Sequence, residues 1–94
     1  MSKVIDAAVA ALQARGQGFD GVAKFVLPGE GAIMFDEHGV RAGDGPADVT
    51  LTASTEVFQA ILAGELSATT AYMTGKLTVD GSMGLAMKLG QVLG

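Results

Sequence analysis

Apolar positions along this 94-residue chain alternate between the two periods that distinguish helices from strands. Val4, Ile5, Ala8, Val9 and Leu12 recur at i, i+1, i+4, i+5 and i+8, one face of a helix. Ser2 stands where an N-cap belongs, Arg15 falls in the last turn, and Gly16 is placed to stop the helix. After a loop the period drops to two. Over Val22–Leu27, Ala23, Phe25 and Leu27 share one side, and Val22, Lys24 and Val26 the other. Pro28-Gly29 is a turn signal, Ala32–Asp36 a second strand, and Glu37-His38-Gly39 closes a hairpin into Val40–Ala42. In Asp48–Ala53, Val49, Leu51 and Ala53 oppose Thr50 and Thr52. Alternation with polar partners implies a sheet with one covered face.

The helical period then returns. Ser54 caps a helix with Glu56 in its first turn, Val57, Phe58, Ile61 and Leu62 form its apolar arc, and Gly64 ends it. Ser67 starts a short helix through Thr74, Lys76–Asp80 is a last strand with Leu77 and Val79 inward, and Asp80-Gly81 turns the chain into a final helix. The predicted architecture is a single α+β domain over residues 1–94, with helices on one face of a twisted, mostly antiparallel sheet. The final helix is unusual. Met83, Leu85, Ala86, Met87, Leu89, Val92 and Leu93 spread over roughly 220° of its wheel, where a core-facing helix needs about 100°. Only Gly84, Lys88 and Gln91 fill the polar remainder. The segment is either a thoroughly buried helix or one that meets a second apolar partner: a ligand chain, another subunit or a membrane surface. Its methionines suit an adaptable surface.

Composition narrows the options. Hydrophobic residues make up 49% and charged residues 17%, so much apolar surface must be buried, shared or wrapped around something. The net charge of −4 and six scattered basic residues argue against nucleic acid, whose binding rests on clustered Lys and Arg. The absence of cysteine excludes disulfides and thiolate metal sites, and the single histidine adds little to a zinc site. No apolar run reaches the ~20 residues of a membrane span. The six-residue run Ala7–Leu12 behind Asp6 is too short for a signal peptide core, so the expected compartment is the cytoplasm.

No catalytic constellation is legible. His38 lies in a turn, Ser54 and Ser67 read as helix caps, and Asp36 and Glu37 point opposite ways at a strand end. The Gly-x-Gly pairs at 16/18, 29/31 and 43/45 lack the strand-to-helix frame of a dinucleotide loop. Gly75-Lys76 enters a strand and is no phosphate loop. The expectation is a non-enzyme without cofactor or metal. The remaining candidates are apolar: Phe25, Met34, Phe58, Ile61, Leu62, Leu66, Tyr72, Met73, Leu77, Met83, Met87 and Leu89, each either plain core or lining of a pocket between sheet and helices.

The block Gly75–Leu89, GKLTVDGSMGLAMKL, resembles the sterol carrier protein type 2 family. Ala47-Asp48-Val49-Thr50-Leu51 and Gly64-Glu65-Leu66 fit the same family upstream, and the resemblance is weaker before Val40. It implies a five-stranded sheet flanked by about four helices, a hydrophobic tunnel between the layers, and a lipid such as a sterol, fatty acid, acyl-CoA or phospholipid. It carries over no catalytic residues. Animal members often run on to a peroxisomal signal, whereas this sequence ends at Gly94, and its loop after the second strand is short. Either a more open pocket or pairing of two subunits over the exposed apolar edge is therefore expected, with a linear acyl or isoprenoid chain in preference to sterol. Lys76 and Lys88 are either solvated charges or partners of an anionic head group, and Gly81, Gly84 and Gly90 are candidate hinges. Three roles stay open: a lipid carrier with transient membrane contact, an accessory holding a hydrophobic intermediate for a partner enzyme, or a homodimer with a filled pocket.

Overall fold

A computed structural model describes residues 3–14 and 20–93, without the side chains of Val92 and Leu93. The Ser2 cap, Arg15, the Gly16 stop and the last two wheel positions therefore lie outside the described residues. The elements run α1 (Lys3–Ala14), β1 (Ala23–Leu27), β2 (Gly31–Asp36), β3 (Gly39–Ala42), β4 (Val49–Ala53), α2 (Thr55–Leu62), α3 (Ala68–Met73), β5 (Leu77–Gly81) and α4 (Met83–Leu93). Each follows the predicted order with ends moved by a residue or two. The caps act as read: the Ser54 hydroxyl accepts from Val57 N–H at 3.2 Å, and Ser67 from Thr70 N–H at 3.0 Å. At the ends of α2 and α3 the chain reverses through Gly64 and Gly75, and the paired bonds Glu65 N–H to Ala60 C=O and Lys76 N–H to Ala71 C=O close off the last carbonyls.

The five strands lie in the order β3-β2-β1-β4-β5. Three of the four pairings are antiparallel; β1 and β4, the centre of the sheet, run parallel. The registers Ala23↔Phe35, Phe25↔Ile33, Phe25↔Leu51 and Leu51↔Val79 put the apolar halves of all the strands on one face. That face meets Ile5, Ala8 and Leu12 of α1, Phe58 and Ile61 of α2, Ala71 of α3 and Leu89 of α4 in one buried cluster. All four helices thus cover one face, and the other carries Lys24, Thr50, Thr52, Thr78 and Asp80.

The start of α4 is fastened by hydrogen bonds. Asp48 C=O accepts from Ser82 N–H at 3.0 Å, and the Asp48 carboxylate and backbone N–H bond to Val22. Gly81 approaches this carbonyl closely at φ +103°, and a side chain there would collide with Asp48 O. Ser82 then caps α4, its hydroxyl accepting from Leu85 N–H at 3.3 Å. This third serine cap is not singled out by the sequence reading, because a Gly-rich turn masks it.

Candidate functional site

Between α3, α4 and the β4–β5 edge of the sheet opens a groove of about 480 Å³. Its floor is Leu51, Leu77 and Val79, all on the apolar face of their strands. One wall is Ala68, Thr69, Tyr72 and Met73 of α3; the other is Met83, Ala86, Met87, Gly90 and Gln91 of α4. The α4 residues 83, 86, 87 and 90 form an i, i+3, i+4, i+7 stripe. Leu85 and Leu89 form a separate stripe that packs into the core. The broad apolar arc of α4 is thus two faces side by side, one for the fold and one for the groove. Where the family resemblance implies a tunnel, the described residues form a groove whose rim is open: Met73 is 78% exposed, Met87 71%, and Tyr72 and Met83 45% each. No other large hydrophobic side chain among the described residues is comparably exposed.

Of the twelve candidate residues, the structure gathers Tyr72, Met73, Leu77, Met83 and Met87 around this groove. Phe25, Phe58, Ile61 and Leu89 are buried and do not line it; Leu66 packs half-buried against the core. Phe58 and Leu62 line a smaller crevice of about 290 Å³ between α1 and α2, with Val4, Ala8, Ala11 and Leu27 among its walls. Met34 is on the opposite face of the sheet, since its register partners are Lys24 and Arg41. It is buried there beside the 43–46 loop, which Gly43 N–H ties to Ala32 C=O and Asp44 ties to Lys24 at 2.9 Å. Period two identified its strand but not which face the loop would cover. The groove residues missed by the sequence reading are Leu51, Ala68, Thr69, Val79, Ala86, Gly90 and Gln91. The signal for Leu51 and Val79 was their shared parity with Leu77, and for Ala86 and Gly90 their spacing from Met83.

The polar groups of the groove are Thr69, Tyr72 and Gln91. Lys76 and Lys88 are exposed and line neither wall. Of the proposed hinges, Gly90 faces α3 closely enough that an added methyl would touch Ala68 Cβ at 3.8 Å, while Gly84 has open space apart from Ser82 Oγ at 3.9 Å. His38 is exposed in the β2–β3 hairpin beside Glu37. On the face without helices, Arg41 donates to Asp36 at 2.9 Å, which together with the His38 backbone N–H holds the Asp36 carboxyl below its ordinary value. Among the described residues no cluster of His, Asp and Glu is arranged to hold a metal, and no helix is long and apolar enough to cross a membrane.

The fold and its groove have counterparts among known proteins. The solution structure of sterol carrier protein 2 from Aedes aegypti in complex with palmitate superposes with a TM-score of 0.77 at 25% identity, over 99% of this chain and 96% of that one. Palmitated SCP2L2 of Aedes aegypti matches at 0.70 and 28%, over 99% and 95%. In sequence, the chain is 38% identical to hydroxysteroid dehydrogenase-like protein 2 of Xenopus laevis across 79% of this chain and 20% of that protein. It is 43% identical to peroxisomal multifunctional enzyme A of Dictyostelium discoideum across 69% and 14%. The chain thus spans about a fifth or less of the length of these curated relatives. The profile of the SCP-2 sterol transfer family matches residues 3–94. With the motif Gly75–Leu89, the five-stranded mixed sheet and its four helices all in agreement, the chain belongs to the SCP-2 sterol transfer family.

Proposed function

We propose that this domain binds a long aliphatic lipid chain, acyl or isoprenoid, in the α3–α4 groove and releases it chemically unchanged. One observation carries the reading: the four large hydrophobic side chains that stay exposed among the described residues all belong to this groove. Solvent-facing methionines on facing helices leave apolar surface that an aliphatic chain would cover, and their flexible side chains adapt to chains of different shape. A volume of about 480 Å³ falls within the range of small-molecule sites. The palmitate in the two Aedes aegypti structures supports an acyl ligand.

Burial of the chain dominates the energetics. Each methylene withdrawn from water contributes about 0.8 kcal/mol, so a sixteen-carbon chain offers on the order of 12 kcal/mol gross before the costs of association. A neutral head-group hydrogen bond to Thr69, Tyr72 or Gln91 adds only about 1 kcal/mol net. Specificity accordingly follows chain length and shape more than head group, and a rigid sterol fits this account less well than a linear chain. Entry and exit involve α4 moving against α3, with α4 held at its start by the Asp48–Ser82 bond.

Displacement of a fluorescent fatty acid by palmitate, followed by native mass spectrometry, tests the reading. The expected result is a one-to-one complex of the monomer. A stable, empty homodimer that takes up no chain would overturn it and make the exposed methionines a subunit interface. A second role rests on the same binding. The match to a fifth of a dehydrogenase-like protein supports a domain that holds a hydrophobic intermediate for a partner enzyme. Stimulation of such an enzyme by the loaded domain, beyond that given by free lipid, distinguishes it from simple carriage.

A further inference from the structure

One aromatic pair links residues of the α1–α2 crevice to residues of the groove. Phe58 and Leu27 line the crevice. The Phe58 ring meets that of Phe25, with centroids 5.3 Å apart and planes at 56°. Phe25 is in turn the β1 register partner of Leu51, which lines the groove. The sequence of contacts from one space to the other is therefore Phe58, Phe25, Leu51. Both rings are buried.

The sheet beneath them leaves the passage low. Ala53 registers with Leu77, a groove residue, and it follows Thr52, whose partner Val26 precedes the crevice residue Leu27. Leu27 and Leu77 thus stand on the two strands flanking Ala53. At about 4.8 Å between neighbouring strands, Leu27 and Leu77 are about 10 Å apart across the floor. The residue between them there contributes only a methyl group, so the partition above it is built from side chains of the buried cluster, the aromatic pair among them.

Resting on the reading that the groove takes a lipid chain, we propose that the Phe25–Phe58 pair is its end wall and that the Phe58 ring, by holding Phe25 in place, sets the longest chain the domain accommodates. The crevice of about 290 Å³ is closed to a chain in the 480 Å³ groove by this pair. A smaller or more flexible residue at position 58 leaves room for the Phe25 ring to turn aside, which joins the two spaces and admits the tail of a longer chain, while the head group stays at the α3–α4 mouth. Phe58 is in this sense a specificity residue that does not line the groove itself.

The test is a length series of saturated fatty acids, from ten to twenty carbons, displacing a fluorescent fatty acid. In the native protein affinity rises with length and then levels off. In Phe58→Leu the levelling moves to longer chains. Each methylene admitted adds about fourfold, so the preference for the eighteen-carbon over the twelve-carbon acid rises at least about tenfold. Filling the crevice from its far side, in Phe58→Leu/Ala11→Leu, returns the preference to that of the native protein. Ile61→Val, which alters a buried residue lining neither space, leaves it unchanged. Should Phe58→Leu fail to melt cooperatively, Phe58→Met keeps most of the volume without the rigid ring and is read in the same way. An unchanged preference in a cooperatively folded variant overturns the inference while leaving the lipid reading intact. So does an equal rise in Ile61→Val, or a rise that the crevice-filling substitution does not reverse. A native protein that takes up none of the acids overturns the lipid reading and this inference together.

Discussion

α1 and α4 are similar in length and in their richness in small and aliphatic residues, yet they spend their apolar faces differently. Ile5, Ala8 and Leu12 of α1 are all buried on the sheet. α4 commits Leu89 fully and Leu85 and Ala86 partly, and leaves Met83 and Met87 in solvent along the groove. α1 therefore acts as a lid for the core, and α4 as both part of the core and the wall of a binding site. A helix that serves two partners needs two stripes, which is why its apolar arc is wider than packing alone requires.

The largest effects should come where the two helices behave alike. Leu12→Ala and Leu89→Ala each remove a fully buried side chain, and each is expected to destabilise the fold by about 2–5 kcal/mol in urea or thermal unfolding. A small cost at Leu89 would mean that α4 is peripheral to the core and that the comparison fails. Next, the difference between the helices should appear on ligand addition. Palmitate at a hundredfold excess over its dissociation constant should raise stability by about 2.7 kcal/mol, read as a shift in Tm. Met87→Asp, with its side chain already in solvent, should leave the unliganded stability within about 0.5 kcal/mol and weaken chain binding by about tenfold or more. The equivalent change at exposed Ala10 of α1 should leave chain binding unchanged.

A smaller effect tests how α4 is anchored. Ser82→Ala removes the hydroxyl that receives Leu85 N–H and is expected to cost about 1 kcal/mol, with faster ligand release as the start of the helix loosens. The smallest belongs to the face that carries no helix. Arg41 and the His38 N–H depress the Asp36 carboxyl, so their stabilisation is present above the ordinary aspartate range near pH 4 and is lost as pH falls through the lower folded value. The stability gap between the native protein and Asp36→Asn should therefore be constant near neutrality and shrink in acid, as measured by urea unfolding across pH. A gap that widened in acid would reverse the assigned direction.

Much of the fold was legible because its signals are local. Ser54 and Ser67 announced their helices, Gly64 the end of the first of them, and the alternation of Val49, Leu51 and Ala53 against Thr50 and Thr52 marked both a strand and its covered face. Within the candidate site, Tyr72, Met73, Leu77, Met83 and Met87 came together as a group. Phe25, Phe58, Ile61 and Leu89 went to the core instead, and Met34 to the far side of the sheet. Hydrophobic character is the same in both destinations, so nothing in these residues taken singly separates a core position from a groove position.

By itself, the sequence determined the kind and order of the elements, the polarity of the two faces of β1 and β4, and the fact that α4 carries more apolar surface than one contact face uses. Those properties depend on residues a few positions apart, within reach of backbone periodicity and capping chemistry. Only the tertiary structure decided that β1 would lie parallel to β4, that the surplus of α4 would open onto a groove shared with α3, and that Phe25 and Phe58 would meet in the core. Each depends on the distance between elements far apart in the chain, which is set when the whole core packs and is written in no single segment.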